Sequence, residues 1–127
     1  MKKILFVCVE NACLSQMAQG FFNTFSKSAS ADSAGTQPAE KVDKIAVQVM
    51  KEKHIDISGF LPKLLSFSMN SECDVIVTMG CIDGCPITPR DKTIEWIVEN
   101  PKGKGIGAYR EIRNQIEDKV KRLIEVV

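Results

Sequence analysis

The sequence predicts an α/β sandwich with a mostly parallel sheet. Short continuous apolar runs, typical of strands that are buried on both faces, recur along the chain. Between them lie segments whose apolar residues repeat at three- and four-residue spacing, as on one face of a helix. This alternation of strand and helix favours a layered α/β architecture over an all-α or all-β one.

The first half of the chain contains two predicted strands, each followed by a helix. Residues 4–9 form a buried strand, and residues 31–35 form a weaker one that ends in a turn at Gly35 and Pro38. The first helix begins near Ser15. The apolar faces of the two helices are formed by Met17, Phe21, Phe22 and Phe25, and by Val42, Ile45, Ala46, Val49 and Met50.

The second half contains two more predicted strands and a long helix. Residues 55–73 are interpreted as a loop with room for a short helix, because Gly59 and Pro62 break any regular pattern. Residues 75–79 are rich in β-branched side chains and form a strand. Residues 81–90 form a loop and residues 94–98 a further strand. The C-terminal helix carries Ile112, Ile116, Val120, Leu123 and Val127 on its apolar face.

Composition narrows the possible classes of protein. The chain has 127 residues, which fits one domain over residues 1–127, and its apolar content of 44% is ordinary for a globular protein. A formal net charge of +1 argues against nucleic-acid and membrane-surface binding. No stretch approaches the roughly 20 apolar residues of a membrane span. We therefore expect a cytoplasmic protein, in which five cysteines point to redox or metal chemistry rather than to a disulfide framework.

The carboxyl ends of the predicted strands are the expected place for a ligand. Residues 8–15 connect a buried strand directly to a helix, so their N–H groups can converge on an anion at the positive end of that helix. Cys8 heads this loop, where a thiol is favoured as a nucleophilic thiolate. The alternative is that Cys8 is a small apolar residue that ends a core strand. Its position at the junction favours the nucleophile.

The loop also resembles that of a known family. Residues 8–18 look like the phosphate loop of low-molecular-weight tyrosine phosphatases, and more closely like that of thioredoxin-coupled arsenate reductases. Residues 33–36, 55–58 and 77–86, with Trp96 and the last helix, continue the resemblance over nearly the whole chain. It implies a three-layer sandwich in which helices flank a four-stranded parallel sheet. The implied oxyanion-binding residues are Val9, Glu10, Asn11, Ala12, Cys13, Leu14 and Ser15.

The resemblance also implies a relay of three catalytic cysteines. Cys8 would attack arsenate, Cys81 would attack the Cys8 sulfur and release arsenite, and Cys85 would take over the oxidation as a Cys81–Cys85 disulfide. Thioredoxin or a similar protein would reduce that disulfide. Arsenate or a phosphate-like oxyanion is the implied ligand, and we expect a monomer without metal or cofactor. Alternatively, Cys81 and Cys85 are incidental thiols, or their spacing serves zinc; Cys13 and Cys73 are interpreted as incidental.

Three positions depart from the family pattern. Leu14 stands where the family has an arginine that grips the anion, and Gln19 stands where related reductases have a glutamate. Asn100 occupies the general-acid position, and an amide cannot release a proton to a leaving group. Lys102 or Lys104 is a candidate to replace part of the missing charge.

Three explanations of these departures stay open. The chain is a weakened or specialised reductase, a non-catalytic relative that keeps its thiols for redox exchange or for a soft metal or arsenite, or a chain into which Leu14 and Asn100 were introduced. Tyrosine phosphatase activity suffers most, since it needs both the arginine and the acid. The sequence therefore favours an arsenate reductase over a phosphatase.

Overall fold

The computed structural model describes residues 2–80 and 89–127 and contains one sheet of four parallel strands. The strand order is β2-β1-β3-β4, which confirms the predicted parallel α/β sheet. The first strand covers residues 2–8 instead of 4–9, the second begins at residue 29 instead of 31, and the fourth covers residues 93–96 instead of 94–98, so the predicted limits of these three strands are wrong. The strands are β1 (Lys2–Cys8), β2 (Ala29–Gly35), β3 (Val75–Met79) and β4 (Thr93–Trp96).

Helices cover both faces of the sheet and give the predicted three layers. α1, α2 and α4 share one apolar cluster, and the short α3 packs over the opposite face, near β1. No helix in the described part of the chain is both long and apolar enough to cross a membrane. The described helices are α1 (Leu14–Phe25), α2 (Lys44–Lys51), α3 (Phe67–Glu72) and α4 (Ile106–Val126), and residues Arg90–Lys92 form a 3-10 turn.

The alternation of side chains along β1 explains why both faces are covered. Ile4, Phe6 and Cys8 point into the larger cluster, whereas Leu5 and Val7 point into the smaller one, and all five are buried. A strand that is apolar on both faces is stable only where elements pack on each side. The predicted buried strand is thus confirmed, and it lies inside the sheet between β2 and β3.

An arginine clamp fixes α2 against α4. Arg113 is only 7% exposed and donates to the carbonyl of Val49 at 2.9 Å and to Glu52 at 2.6 Å. Arg110 donates to the same carboxylate at 2.8 Å. Hydrogen bonds from Arg110 and Arg113 lower the pKa of Glu52 to about 2. The clamp holds α2, whose N-terminal end contacts the loop after β1.

The strand order places a crevice at the carboxyl end of β1. From β1 the chain leads to β2 on one side, and β3 then returns to the other side of β1. In open parallel sheets such a reversal leaves room for a ligand between the two connections. Residues 9–13 and Gly80, which follow β1 and β3, lie there.

Gly35 yields the first testable prediction. It lies opposite Cys8 in the register, and a Cβ at this position would be 2.5 Å from the carbonyl oxygen of Val9 and 2.9 Å from the nitrogen of Asn11. Gly35→Ala must push the loop away, so we expect a loss of about 1–3 kcal/mol in the free energy of unfolding, measured with urea.

Gly107→Ala is the matched control, since a Cβ there meets no atom within 4 Å. In α4 this change should stabilise the protein by up to about 1 kcal/mol. A Gly35→Ala protein that unfolds at the wild-type urea concentration would contradict the close approach of Gly35 to the loop.

Candidate active site

The carbonyl groups at the end of β1 and in the loop that follows it accept hydrogen bonds from other parts of the protein. Four of them accept hydrogen bonds from the N–H groups of residues 36–43, which we call the strap. The pairs are Thr36 to Cys8 (3.3 Å), Gln37 to Val9 (2.8 Å), Ala39 to Glu10 (2.9 Å) and Asp43 to Ala12 (2.8 Å). The strap therefore fixes the path of the loop through backbone atoms alone.

The N–H groups of the loop are left for a ligand. Those of Glu10, Ala12 and Cys13 have no acceptor within residues 2–80 and 89–127. Cys13 is the N-cap of α1, and its side chain makes no capping hydrogen bond. Free N–H groups and the positive end of a helix together form a binding site for an anion.

Asn11 locks the middle of the loop. It is completely buried and has a φ of 50°, a left-handed conformation that asparagine tolerates better than most residues. Its Oδ1 accepts from the N–H of Lys63 at 2.9 Å, and its Nδ2 donates to Ser15 Oγ at 2.7 Å. Gln16 Nε2 donates to its carbonyl at 3.0 Å. These hydrogen bonds stabilise a backbone turn that would otherwise be strained.

Cys8 lies beneath the loop at the end of β1. Its side chain is 5% exposed, and its sulfur is 2.9 Å from Ser15 Oγ and 3.2 Å from the nitrogen of Asn11, which donates to it. The two contacts hold the sulfur in one position, with the Asn11 N–H directed at it. The predicted nucleophile is thus directly below the free N–H groups.

One cavity of about 210 Å³ brings most of the predicted site residues together. Asn11 and Ser15 are fully buried beneath the loop instead of lining the cavity. Asn100, at the predicted general-acid position, lines it beside Gly80. Cys81 and Cys85 lie outside the described residues, so their roles stay predictions. The loop residues in the lining are Cys8, Val9, Glu10, Ala12, Cys13 and Leu14.

Leu14 places an apolar side chain in the cavity wall, at the position where the family pattern has an arginine. It is 5% exposed, and its side chain packs so closely on Gly80 that a Cβ there would lie 2.9 Å from Leu14 Cδ1. Lys102 does lean toward the cavity, but its Nζ is 3.2 Å from both oxygens of Glu10. Lys104 pairs with Glu99 at 3.3 Å and is not in the lining. The lysine predicted to compensate is therefore already paired.

Cys13 lines the same cavity as Cys8, and its surroundings favour the protonated thiol. Burial, and then the charge of Asp43, raise the pKa of the Cys13 thiol far above its usual range. Asp43 accepts hydrogen bonds from Tyr109 at 2.5 Å and from the N–H of Ile45 at 2.9 Å. Burial and this hydrogen bond raise the pKa of Tyr109 as well. The Cys13 thiol therefore stays protonated near neutral pH.

Sequence reasoning missed the strap and its anchor. Asp43 precedes an apolar helical face, which is an N-cap signal, but nothing in that signal connects it to the loop. The hydrogen bond from Tyr109 joins α4 to the strap across 66 positions of sequence and has no local signature. Within the described ranges, no three His, Cys, Asp or Glu side chains are grouped to hold a metal ion.

Comparison with known proteins gives a consistent set of relatives. A model of the family "Low molecular weight phosphotyrosine protein phosphatase" matches residues 3–127. The chain is 33% identical to a glutaredoxin arsenate reductase of Synechocystis sp. over 129 residues, which cover 98% of this chain and 97% of that protein.

Two solved structures have the same fold. An arsenate reductase in its phosphate-binding state is 32% identical, with a TM-score of 0.88 and 98% of each chain covered. A low molecular weight protein tyrosine phosphatase from T. tengcongensis is 29% identical, with a TM-score of 0.88 and 100% of each chain covered. The similarity thus extends to both reductases and phosphatases.

The state of Cys13 can be tested by alkylation across a range of pH. Because the pKa of Cys13 is raised, we expect iodoacetamide to modify it only at much higher pH than a free thiol. Asp43→Asn removes the negative charge that, after burial, does most to raise the pKa of Cys13, so modification of Cys13 should begin at a lower pH than in the wild type. It should still begin at a higher pH than for a free thiol, because Cys13 remains buried. Mass spectrometry of the Cys13 peptide provides the measurement.

Asp56→Asn is the control, because Asp56 is outside the cavity lining and accepts its hydrogen bonds from Ser58. This variant should begin to be modified at Cys13 at the same pH as the wild type. An unchanged onset in folded Asp43→Asn would mean that the Asp43 charge does not act on Cys13.

Proposed function

The chain belongs to the low molecular weight phosphotyrosine protein phosphatase family, and from this premise we propose that it reduces arsenate to arsenite. The observation that carries the proposal is the Cys8 sulfur, held below a loop whose free N–H groups face an anion-sized cavity. A second support is the arsenate reductase names among its relatives. Phosphate in one of those structures is consistent with a shared oxyanion site.

The first proposed step is an exchange at arsenic. The Cys8 thiolate attacks the As(V) centre, an S–As bond forms, and one oxygen leaves as water after it is protonated. The N–H groups of Glu10, Ala12 and Cys13 stabilise the negative charge on the remaining oxygens. Asn100 lines the cavity but has no proton to give, so in this scheme solvent supplies the proton.

The reduction itself is assigned to the thiol relay. The Cys81 thiolate attacks the Cys8 sulfur, an S–S bond forms, and the electron pair of the breaking S–As bond stays on arsenic, which leaves as As(III). Cys85 then attacks the Cys81 sulfur and regenerates the Cys8 thiolate, leaving a Cys81–Cys85 disulfide. An external dithiol reduces that disulfide and returns all three cysteines to their starting state.

Thioredoxin or glutaredoxin is the proposed type of reductant. The name of the Synechocystis relative joins glutaredoxin to arsenate reduction, and either protein can supply two electrons through a pair of thiols. We also infer that residues 1–127 act as one domain and as a monomer. A cytoplasmic location would keep the three thiols reduced between turnovers.

Phosphatase activity is the weaker candidate for this site. Hydrolysis of an aryl phosphate needs strong stabilisation of charge on the phosphoryl oxygens and a proton for the leaving group. Leu14 and Asn100 occupy the two positions where the family pattern has those groups. The relay instead needs three thiols, all of which are present in the chain.

The relay predicts a specific set of inactive variants. Cys8→Ser, Cys81→Ser and Cys85→Ser should each abolish arsenate turnover coupled to thioredoxin, thioredoxin reductase and NADPH, because each thiol takes part in at least one S–S bond per cycle. The oxidation of NADPH reports the rate. Cys73→Ser is the control and should retain turnover, since Cys73 lies before β3, away from the cavity around Cys8.

Turnover that survives Cys81→Ser would exclude the relay. If even the wild type shows no turnover, while arsenite or zinc protects Cys8, Cys81 and Cys85 from alkylation together, the protein is a thiol-based binding protein and not a reductase.

The missing arginine predicts a variant that is more active than the wild type. Leu14→Arg should increase kcat/KM for arsenate, by up to about 10²-fold, because one strong donor to a developing oxyanion commonly contributes that much. Leu14→Met is the control, since it keeps an apolar side chain of similar volume and should change the rate little. Steady-state kinetics of the three proteins decide the question: a Leu14→Arg protein no faster than Leu14→Met would show that charge at this position does not limit turnover.

A further inference from the structure

The strap places one lysine at the cavity from a fixed backbone position. Lys41 lies in the cavity lining, between two residues whose N–H groups are bonded to the loop. Ala39 donates to the carbonyl of Glu10 at 2.9 Å, and Asp43 donates to that of Ala12 at 2.8 Å. The hydrogen bond from Tyr109 to the Asp43 carboxylate ties the same point to α4. The backbone of Lys41 therefore keeps a constant distance from the loop.

The other charged side chains of the cavity lining are paired with groups other than Lys41. Besides the two thiols, the described lining contains four ionisable side chains: Glu10, Lys41, Asp43 and Lys102. Glu10 and Lys102 form an ion pair at 3.2 Å, and the Asp43 carboxylate accepts hydrogen bonds from Tyr109 and from the N–H of Ile45. In the part of the chain that is described, Lys41 has no ion pair or hydrogen bond from its side chain.

We propose that Lys41 binds the oxyanion and supplies the positive charge that the loop lacks at Leu14. The inference rests on the proposed function, since it assigns a residue to the same oxyanion site. Lys41 is exposed and belongs to the cavity lining, whereas Leu14 is buried in the cavity wall. A lysine approaches a tetrahedral oxyanion as a point charge and not as a bidentate fork. It draws the anion in without matching the geometry of the reacting arsenic.

This position defines what Lys41 contributes. A flexible, solvated cation acts on capture of the anion more than on the transition state, so its loss should raise KM and leave kcat nearly unchanged. The expected effect is about two- to fivefold, as for ion pairs at exposed positions. Because the site is open to water, salt should screen most of it.

The test measures oxyanion binding without requiring turnover. Iodoacetamide, a neutral reagent, alkylates Cys8, and inorganic phosphate or arsenate is added to protect it. The oxyanion concentration that halves the rate of Cys8 alkylation measures the affinity. Because each protein is compared with its own rate in the absence of oxyanion, a change in the reactivity of the sulfur itself cancels. Lys41→Gln should need about two- to fivefold more oxyanion, and Lys41→Arg should behave like the wild type.

Lys44→Gln is the matched control. It removes the same charge three residues away, from an exposed position outside the lining of this cavity. It should protect Cys8 as the wild type does, and the difference between the two glutamine variants should shrink at high salt. Equal protection in Lys41→Gln and Lys44→Gln would overturn the assignment of Lys41.

The same measurements separate the role of Lys41 from the proposed reduction of arsenate. If neither oxyanion protects Cys8 in the wild type, there is no oxyanion site, and both Lys41 and the proposed reductase are rejected. If the wild type is protected but reduces no arsenate with a thioredoxin system, the reductase is rejected, while the comparison of Lys41→Gln with Lys44→Gln still decides the role of Lys41.

Discussion

The site depends on how the backbone polar groups of one short loop are divided. Four carbonyls accept hydrogen bonds from the N–H groups of the strap, and in the proposed site the N–H groups of Glu10, Ala12 and Cys13 are left for an anion. A buried carbonyl without a donor costs about 1–3 kcal/mol, so the strap is a requirement of the loop and not an accessory. The division is possible because Gly35 has no Cβ where β2 passes the loop.

Since backbone atoms define this cradle, its shape does not require an arginine. Leu14 fills the position with a buried side chain packed on Gly80, and the loop keeps its hydrogen bonds to the strap. The difference from the family pattern is in the charge of the cavity. Besides the two thiols, the four ionisable side chains of the described lining carry two negative and two positive charges. In the proposed site, anion binding rests on N–H dipoles, on the N-terminal end of α1 and on whichever cation is not already paired.

The sequence predicted those parts whose signals are local. The apolar run of β1 and its abrupt change to helical spacing located Cys8 and the loop, and the alternation of elements predicted the parallel sheet. The strap was missed because its contacts join backbone groups more than 25 residues apart and leave no pattern in the side chains. Lys102 was correctly expected near the cavity, but its pairing with Glu10 depends on three-dimensional packing.

The departures at Leu14 and Asn100 do not weigh equally on the two chemistries of this fold. A phosphatase must expel an alkoxide or phenolate, which needs a proton, and must stabilise a phosphoryl group in transfer. In a thiol relay the S–As bond breaks because a second sulfur takes its place on Cys8, and arsenic leaves with the electron pair. That step depends on the distance between thiolates and on their protonation. The described part of the site holds Cys8 below the loop, as the proposed relay requires, whereas Leu14 and Asn100 take the positions of the two groups that phosphate hydrolysis would use.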